Sequence, residues 1–323
     1  MVAGPAASAS LRVAFFGTPA FAVPTLEAIL ASRHTVVGVV TQPDRRRGRG
    51  QKVSDSAIKA RASIAGLPVF QPDRINDPAF LATLTGIEAD IGVVAAYGKI
   101  LTEAVLSTPR LGMINVHASL LPKYRGAAPV HRAVMAGEAE TGVTIMRVVK
   151  ALDAGPMLAT ARRAIGPDDT SEQVERGLAL DGAGLLVGTL DALAEGGVTE
   201  MPQDDRLATY AHRLTKDEGL IDWSQPAIDI HNQVRGLYPW PHAFSFIDSR
   251  RLILLRTSPE AGGTHPLAGT VVAAHGDELR VAAGDGLVRV HQLQAEGKRP
   301  SSARAFLSTR TIRVGDRFTA SRS

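Results

Sequence analysis

The sequence predicts an α/β domain, built on an open and mostly parallel sheet with helices on both faces, followed by a smaller C-terminal β-domain. In the first half, short apolar runs alternate with helical patterns, which is typical of βα units. Beyond Lys216, short alternating segments punctuated by Gly and Pro follow one another closely, which is typical of a small β-barrel. The 323 residues, 45% of them hydrophobic, suffice for one large core or two ordinary ones.

The first half opens with an apolar run at residues 12–16, which ends in Gly17-Thr18-Pro19 and precedes a helical pattern through Leu30. The next expected elements are strands at residues 35–41, 91–96, 113–117 and 141–150 and helices at residues 55–65 and 171–193. The G-x-G-x-x-G spacing that cradles a dinucleotide is missing, so no such site is predicted. In open sheets, ligands bind outside the carboxyl ends of the strands.

The second half is expected to form a separate domain. Its predicted elements are a helix at residues 227–236, strands at 243–247, 252–255, 269–273, 279–282 and 287–293, and a terminal helix at 301–307. Gly196-Gly197, Pro202 and the polar run after it indicate a connection. The expected division is a disordered extension at residues 1–10, a catalytic domain at 11–196, a linker at 197–215 and a C-terminal domain at 216–323.

The composition excludes several classes of protein. The chain has no cysteine, so disulfide scaffolds and thiolate metal sites are excluded. It has no uninterrupted apolar run of the roughly 18 residues that a membrane span needs. The opening MVAGPAASAS lacks the basic and apolar regions of a secretory signal, so we expect a cytoplasmic protein with no membrane association.

The net charge of +4 is concentrated near the C-terminus. Residues 211–323 carry 15 Lys and Arg against 11 Asp and Glu, whereas the first 210 residues carry 21 of each. In residues 298–323, seven basic residues face one acid, Asp316. Such a surface suits a polyanion, but a solvated, solubilising face has the same composition.

The segment NVHASLLPKYRGAAP, residues 115–129, contains the most informative polar residues. Asn115 and His117 are two positions apart at the end of an expected strand, so their side chains point to the same face. An amide can stabilise a developing oxyanion and an imidazole can handle a proton, which together suit chemistry at a carbonyl. Asp153, in the segment Leu-Asp-Ala-Gly, could orient the imidazole, although an Asp at this position is also a common turn former.

The same segment resembles the signature of enzymes that use 10-formyltetrahydrofolate: Asn-x-His, then Ser-Leu-Leu-Pro, then Arg-Gly. Within that group, the methionyl-tRNA formyltransferase family is most similar. The likeness extends over FFGTPAFAVPTL, VVGVVTQPDRRRGRGQK, GLPVFQP, VVAAYGKIL, ETGVTIMRVVKALDAGPML, DDTS, IDWS and LYPWPHAF. The resemblance implies an OB-like C-terminal domain, catalytic roles for Asn115, His117 and Asp153, and formyl transfer to the α-amino group of methionyl initiator tRNA.

The resemblance also implies two binding surfaces. The expected folate-binding residues are Tyr97, Gly98, Lys99, Ile100, Leu101, Ser119, Leu120, Leu121 and Pro122. The expected tRNA-binding residues are Arg45, Arg46, Arg47, Arg49, Lys52, Lys298 and Arg299, of which Arg49 lines up with the family's Gly-Arg-Gly loop. The formyl donor, 10-formyltetrahydrofolate, is a co-substrate, no catalytic metal is expected, and a monomer is the simplest assembly.

Two alternatives remain open at this stage. A sugar-nucleotide formyltransferase shares the SLLPKYRG loop, but it has little use for a glycine-arginine loop and a basic tail. A non-catalytic RNA-binding protein on the same fold is the second alternative, and the presence of Asn115, His117 and Asp153 together argues against it.

Overall fold

A computed structural model describes residues 10–47, 52–262, 267–309 and 312–321. The strands are β1 Arg12–Gly17, β2 Thr35–Val40, β3 Arg45–Arg47, β4 Lys52–Ser54, β5 Val69–Phe70, β6 Ile91–Ala95, β7 Met113–His117, β8 Arg125–Gly126, β9 Glu140–Arg147, β10 Met157–Ala164, β11 Tyr210–Ala211, β12 Ala243–Ile247, β13 Arg250–Glu260, β14 Val271–His275, β15 Glu278–Ala282, β16 Leu287–Ala295 and β17 Ser301–Ser302. The helices are α1 Val23–Leu30, α2 Ala57–Ile64, α3 Pro78–Gly86, α4 Glu103–Leu106, α5 Pro129–Met135, α6 Ser171–Ala194, α7 Ala227–Gly236 and α8 Ala303–Thr309.

The chain divides into two compact units. The first contains Met1–Gly126, Thr141–Arg163 and Glu175–Tyr210, and the second contains Ala127–Glu140, Ala164–Val174 and Ala211–Ser323. Within these ranges, only the residues described above are considered.

The first unit is built on a seven-stranded mixed sheet, in the order β10-β9-β7-β6-β1-β2-β5. Strand β1 pairs in parallel with both β2 and β6, and β6 pairs in parallel with β7. Strand β9 runs antiparallel to β7. The chain moves outward from β1 to β2 and β5, then returns to β6 on the other side of β1. The strand order therefore reverses between β1 and β6, which is where ligands bind in open α/β sheets.

Burial explains why the sequences of β1 and β6 are almost continuously apolar. Strand β1 is buried from its second residue to its last, and in β6 only one of five residues is partly exposed. A strand covered on both faces loses the polar alternation of a half-exposed strand. One core of this unit consists of Ala14, Phe16, Val40, Ile75, Phe80, Leu84, Tyr97, Val105 and Met113.

Short polar side chains begin two of the surrounding helices. The Ser56 side chain accepts a hydrogen bond from the Lys59 N–H at the start of α2. Asp77 accepts from the Ala79 N–H at the start of α3, and Pro78 follows it. Both are N-cap interactions, each worth about 1 kcal/mol.

Helix α6 is the one described helix long and apolar enough to pass a composition test for a membrane span. A core helix of a soluble protein passes the same test. Its Asp181 accepts two hydrogen bonds from Arg163, and its Leu178, Leu186 and Leu190 are buried. These contacts are those of a core helix.

The second unit contains a six-stranded antiparallel sheet, in the order β12-β13-β16-β15-β14, with β17 beside β16. The core on this sheet includes Trp223, whose indole N–H donates to the Ser245 hydroxyl at 3.0 Å. The Trp223 ring packs on Phe318, with centroids 5.3 Å apart. The predicted fold class, an α/β unit followed by a smaller β-domain, is confirmed.

Several elements differ from the sequence expectations. Helices α3 and α5 and strand β10 were not expected, and the strand expected at residues 252–255 is the longer β13. The terminal helix begins two residues late, because Ser301 and Ser302 form β17, and Ser302 then accepts from the Ala305 N–H. Residues 1–9 of the expected extension lie outside the described residues.

Candidate active site

His117 is the last residue of β7, and its ring lies between two acceptors. The Nε2 atom lies 3.0 Å from the Tyr124 carbonyl oxygen, and Nδ1 lies 3.7 Å from Asp153 Oδ2. A carbonyl can only accept, so Nε2 is the donor in this arrangement. The Nδ1 distance exceeds that of a hydrogen bond but brings the carboxylate and imidazole close together. The predicted proximity of His117 and Asp153 is therefore found, and the His117 ring is almost fully buried.

Asn115 lies two residues before His117 on the same face of β7 and is half-buried. Among the described residues, none forms a hydrogen bond with the Asn115 side chain. Its amide N–H groups are therefore available to an oxygen atom brought into the site. This is the arrangement that oxyanion stabilisation requires.

The loop that carries Asp153 is held by close backbone packing. Asp153 has a φ of +46°, in the left-handed region that non-glycine residues rarely adopt. A Cβ atom on Gly155 would lie 1.9 Å from the Arg147 carbonyl oxygen, so only glycine fits there. Asp153 Oδ2 accepts a hydrogen bond of 2.8 Å from the Gly126 N–H. Gly126 has a φ of +120°, in the region that favours glycine.

The loop after β7 is held by a hydrogen bond within it and by contacts with β9. The fully buried Ser119 hydroxyl donates to the Lys123 carbonyl at 2.6 Å. The Thr144 hydroxyl donates to the Ser119 carbonyl and accepts from the Leu121 N–H. The Leu120 side chain lies against Gly142. The buried Ser119 and Leu121 side chains therefore support the loop and are not exposed to a ligand.

Arg125 and Gln203 were not among the site residues predicted from the sequence. Arg125 is 4% exposed, and its guanidinium donates to Gln203 Oε1 through Nε and Nη2, at 3.0 and 2.8 Å. Its Nη2 also contacts Asp205 at 2.7 Å. Gln203 lies in the segment expected to be a linker, where no pattern in the sequence marks a buried contact.

The segment after β6 supplies the other expected folate-binding residues. The Tyr97 side chain is 1% exposed and packs edge-on against Phe16, so it belongs to the core. Burial raises the pKa of the Tyr97 hydroxyl to about 12. Lys99 Nζ donates to the carbonyls of Pro72 and Asp73. Ile100 is 89% exposed, whereas Leu101 is partly buried against the core.

Gly98 and Gln42 lie in the loops after β6 and β2, near the point where the strand order reverses between β1 and β6. Gly98 has a φ of +78°, and a Cβ there would lie 2.7 Å from Gln42 Nε2. Gln42 Nε2 and the Thr18 hydroxyl both donate to the Tyr97 carbonyl, at 2.8 and 3.1 Å. The backbone of the expected folate-binding segment is therefore held by side chains from the loops after β1 and β2.

The expected tRNA-binding loop is described in part. Arg45, Arg46 and Arg47 form β3, which pairs with β4 in an antiparallel ribbon that includes Lys52. Arg49 lies outside the described residues. At the base of this ribbon, Asp44 accepts from Lys59 and Gln71. Both hydrogen bonds lower the pKa of Asp44, and the one from Lys59 has the larger effect.

In the second unit, Lys298 and Arg299 are exposed after the end of β16. Within the residues that the structure covers, neither forms an ion pair. No cluster of three or more His, Asp or Glu able to hold a metal is found in the described part of the chain.

Comparison with known proteins identifies the family. The formyl transferase family model matches residues 11–190, and the formyl transferase C-terminal domain model matches residues 213–311. A methionyl-tRNA formyltransferase of Magnetococcus marinus is 44% identical over 307 residues, which are 95% of this chain and 98% of the relative. A methionyl-tRNA formyltransferase of Moorella thermoacetica is 45% identical over 300 residues, 92% of this chain and 96% of the relative.

Solved structures share the fold. An N-formyltransferase from Helicobacter canadensis, in complex with folinic acid and dTDP-3-aminofucose, has a TM-score of 0.66 and 17% identity. The match covers 88% of this chain and 99% of that one. The sugar 3N-formyl transferase WlaRD has a TM-score of 0.65 and 18% identity, over 90% of this chain and 99% of that one. Matched along nearly its whole length by close relatives that share one name, the chain belongs to the methionyl-tRNA formyltransferase family.

Proposed function

We propose that the first unit transfers a formyl group from 10-formyltetrahydrofolate to the α-amino group of methionyl initiator tRNA, with Asn115, His117 and Asp153 as catalytic residues. The observation that carries this proposal is the pairing of His117 with Asp153, beside Asn115 on the same strand face as His117. Among the described residues, the Asn115 amide has no hydrogen-bond partner. The product, formylmethionyl-tRNA, serves translation initiation.

The reaction needs three groups in one place. The amine nitrogen of methionine attacks the formyl carbon, and the formyl oxygen gains negative charge as the new C–N bond forms. Asn115 donates its amide N–H to that oxygen, an interaction worth about 3–4 kcal/mol in sites of this kind. The bond between the formyl carbon and N10 of the folate then breaks, and N10 takes up the proton that the amine has lost.

His117 carries that proton from the amine to N10. In the structure both ring nitrogens face protein acceptors, Tyr124 O and Asp153 Oδ2. To receive a proton at Nε2, the ring must therefore carry its own proton on Nδ1, facing Asp153, and exchange the Tyr124 carbonyl for the substrate amine. In general acid–base sites, catalytic hydrogen bonds often reach their final geometry only when the substrate binds. Asp153 keeps the ring oriented and stabilises its charged form during the transfer.

The residues near the point where the strand order reverses between β1 and β6 suit a flat, partly aromatic formyl donor. The exposed Ile100 side chain follows the Tyr97–Gly98 turn, and the exposed Leu152 side chain immediately precedes Asp153. Apolar side chains of this kind can pack on a ring system, while the backbone near Gly98 offers polar groups. Tyr97, Gly98, Lys99, Ile100, Leu101, Ser119, Leu120, Leu121 and Pro122 form the proposed folate site, in which several act through backbone rather than side chain.

We assign tRNA binding to two basic surfaces. The first is the loop with Arg45, Arg46, Arg47, Arg49 and Lys52, and the second includes Lys298 and Arg299 in the C-terminal domain. Arginine and lysine side chains bind phosphates, and such contacts position a nucleic acid without reading its sequence. The exposure of Lys298 and Arg299 supports this assignment.

The remaining parts of the proposal concern organisation. They are the catalytic domain at residues 11–196, the linker at 197–215, the C-terminal domain at 216–323, a monomeric state and a cytoplasmic location. Size-exclusion chromatography coupled to light scattering tests the monomer directly. A dimer would contradict it.

A substrate comparison tests the function. Purified protein is given 10-formyltetrahydrofolate with either methionyl initiator tRNA or an amino-sugar nucleotide, and formylated product is measured. We expect product only from the tRNA, with an affinity that falls steeply as salt rises because phosphate contacts release counterions. Product from the sugar nucleotide alone, or tRNA binding without any formyl transfer, would overturn the proposal.

A further inference from the structure

Gln203 uses its whole side-chain amide to join two segments of the site. Its Oε1 accepts both hydrogen bonds from Arg125, at 3.0 and 2.8 Å. Its Nε2 donates to the carbonyl oxygens of Asp153 and Gly155, both at 2.8 Å. An amide offers two acceptor positions and two N–H donors, so every one is satisfied. Exchanging oxygen and nitrogen would set N–H against guanidinium, so the amide orientation is fixed.

The two segments that Gln203 joins carry the groups around His117. Arg125 precedes Gly126, whose N–H donates to Asp153 Oδ2. The same Oδ2 atom faces His117 Nδ1 at 3.7 Å. Gln203 thus holds the backbone of Asp153 directly. It also holds Arg125, and the next residue, Gly126, binds the Asp153 carboxylate.

The Asp153 backbone needs such support. A non-glycine residue with φ near +46° is in a sparsely populated conformation, which persists only where the surroundings fix it. Two hydrogen bonds to the carbonyls of Asp153 and Gly155 fix the peptide group that follows Asp153 and the one that follows Gly155. Without them, the loop is free to relax and the carboxylate to leave the imidazole.

We propose that Gln203 is a positioning residue for formyl transfer, which holds the Asp153 carboxylate against His117 through the loop backbone and Arg125. The inference rests on the proposed function, in which Asp153 orients His117. Gln203 does not touch the reacting atoms in this assignment. Its effect on the reaction is carried entirely by Asp153.

The substitution Gln203→Glu tests this with almost no change in shape. A carboxylate keeps an acceptor for Arg125 but sets an oxygen against the two carbonyl oxygens, which repels the loop. We expect kcat to fall about 10- to 100-fold, because a displacement near 1 Å in a catalytic group costs up to about 100-fold. The KM for tRNA should change little, since the basic surfaces are untouched. A wild-type kcat would overturn the inference.

Gln173→Glu is the matched control. Gln173 Oε1 accepts from the Thr170 N–H and hydroxyl, at 2.9 and 3.0 Å, and a carboxylate accepts both equally well. We expect wild-type kinetics from this variant. A fall in kcat equal to that of Gln203→Glu would show that replacing an amide by a carboxylate lowers kcat wherever it is made in the protein. That result would overturn the inference.

A double-mutant cycle separates positioning from general support of the fold. If Gln203 acts only through Asp153, then Gln203→Glu should cost nothing further in kcat when added to Asp153→Asn. If the two losses multiply, Gln203 does not act through Asp153 and the inference is wrong. Thermal unfolding and tRNA affinity confirm that each variant is folded. If Gln203→Glu does not fold, Gln203→Asn, one methylene too short to reach both sides, replaces it in the same cycle.

Wild-type turnover separates the inference from the proposed function. No formyl transfer by the wild-type protein refutes the function itself. Formyl transfer by the wild-type protein, combined with an unchanged kcat in Gln203→Glu, refutes only the positioning role.

Discussion

The substitution Gly155→Ala tests whether close packing of the Asp153 loop is needed for the reaction. A Cβ at Gly155 would lie 1.9 Å from the Arg147 carbonyl oxygen, whereas ordinary Cβ contacts begin at 3.4 Å. The loop and the end of β9 must therefore separate by about 1.5 Å, the difference between these distances. The clash is with backbone, so rotation of a side chain cannot relieve it.

We expect two effects of this separation. Overpacking of this kind costs about 1–3 kcal/mol in the free energy of unfolding. Because Asp153 is two residues away on the same loop, its carboxylate moves from His117, and kcat should fall by about 100-fold, which corresponds to about 2.7 kcal/mol in the activation free energy. Steady-state formyl transfer at saturating substrates gives kcat, and urea unfolding gives the stability.

Gly188→Ala serves as the control. This glycine lies in the interior of α6, and a Cβ there meets nothing within 4 Å. Replacing it with alanine should leave kcat unchanged and stabilise the helix by about 1 kcal/mol. If Gly155→Ala retains wild-type kcat, the close approach of the loop to Arg147 is not required and the reasoning from loop geometry to catalysis fails.

Three further predictions concern single side chains. Asn115→Ala should lower kcat by about 100- to 1000-fold with little change in KM, because an oxyanion donor is lost; an unchanged kcat in steady-state assays would remove Asn115 from the mechanism. Tyr97→Phe should keep activity. Because the pKa of the buried Tyr97 hydroxyl is raised from 10 to about 12, the wild-type protein should lose up to about 3 kcal/mol more unfolding free energy than this variant between pH 10 and 12. Parallel pH curves for the two proteins in urea unfolding would contradict that. Arg49→Ala should chiefly raise the KM for initiator tRNA, so unchanged kinetics would remove this residue from the interface.

Much of the fold could be predicted because the periodicity of many segments agrees with their burial. The run at residues 113–117 is strand β7 with the expected ends, and the helix at 227–236 is α7. Helix α3 was missed because its sequence, PAFLATLTG, buries only Phe80 and Leu84 and has no strong apolar face. Strand β10 was missed because it lies at the edge of the sheet, where its residues stay partly exposed and include two arginines.

The site could be predicted only as far as the local motifs extend. Asn115 and His117 share a strand, so their common face follows from spacing alone. The approach of Asp153 depends on a loop 36 residues after His117, which no periodicity places. Gln203 and the buried Arg125 are further still from prediction, since an arginine in a polar loop and a glutamine before two aspartates both indicate exposed positions.

The most direct test of the central claim compares kcat and tRNA affinity in His117→Ala. If His117 moves the proton, kcat for formyl transfer should fall by about 100- to 10,000-fold while the dissociation constant for methionyl initiator tRNA stays near that of the wild-type protein. A kcat within a few-fold of wild type would contradict the proposed mechanism.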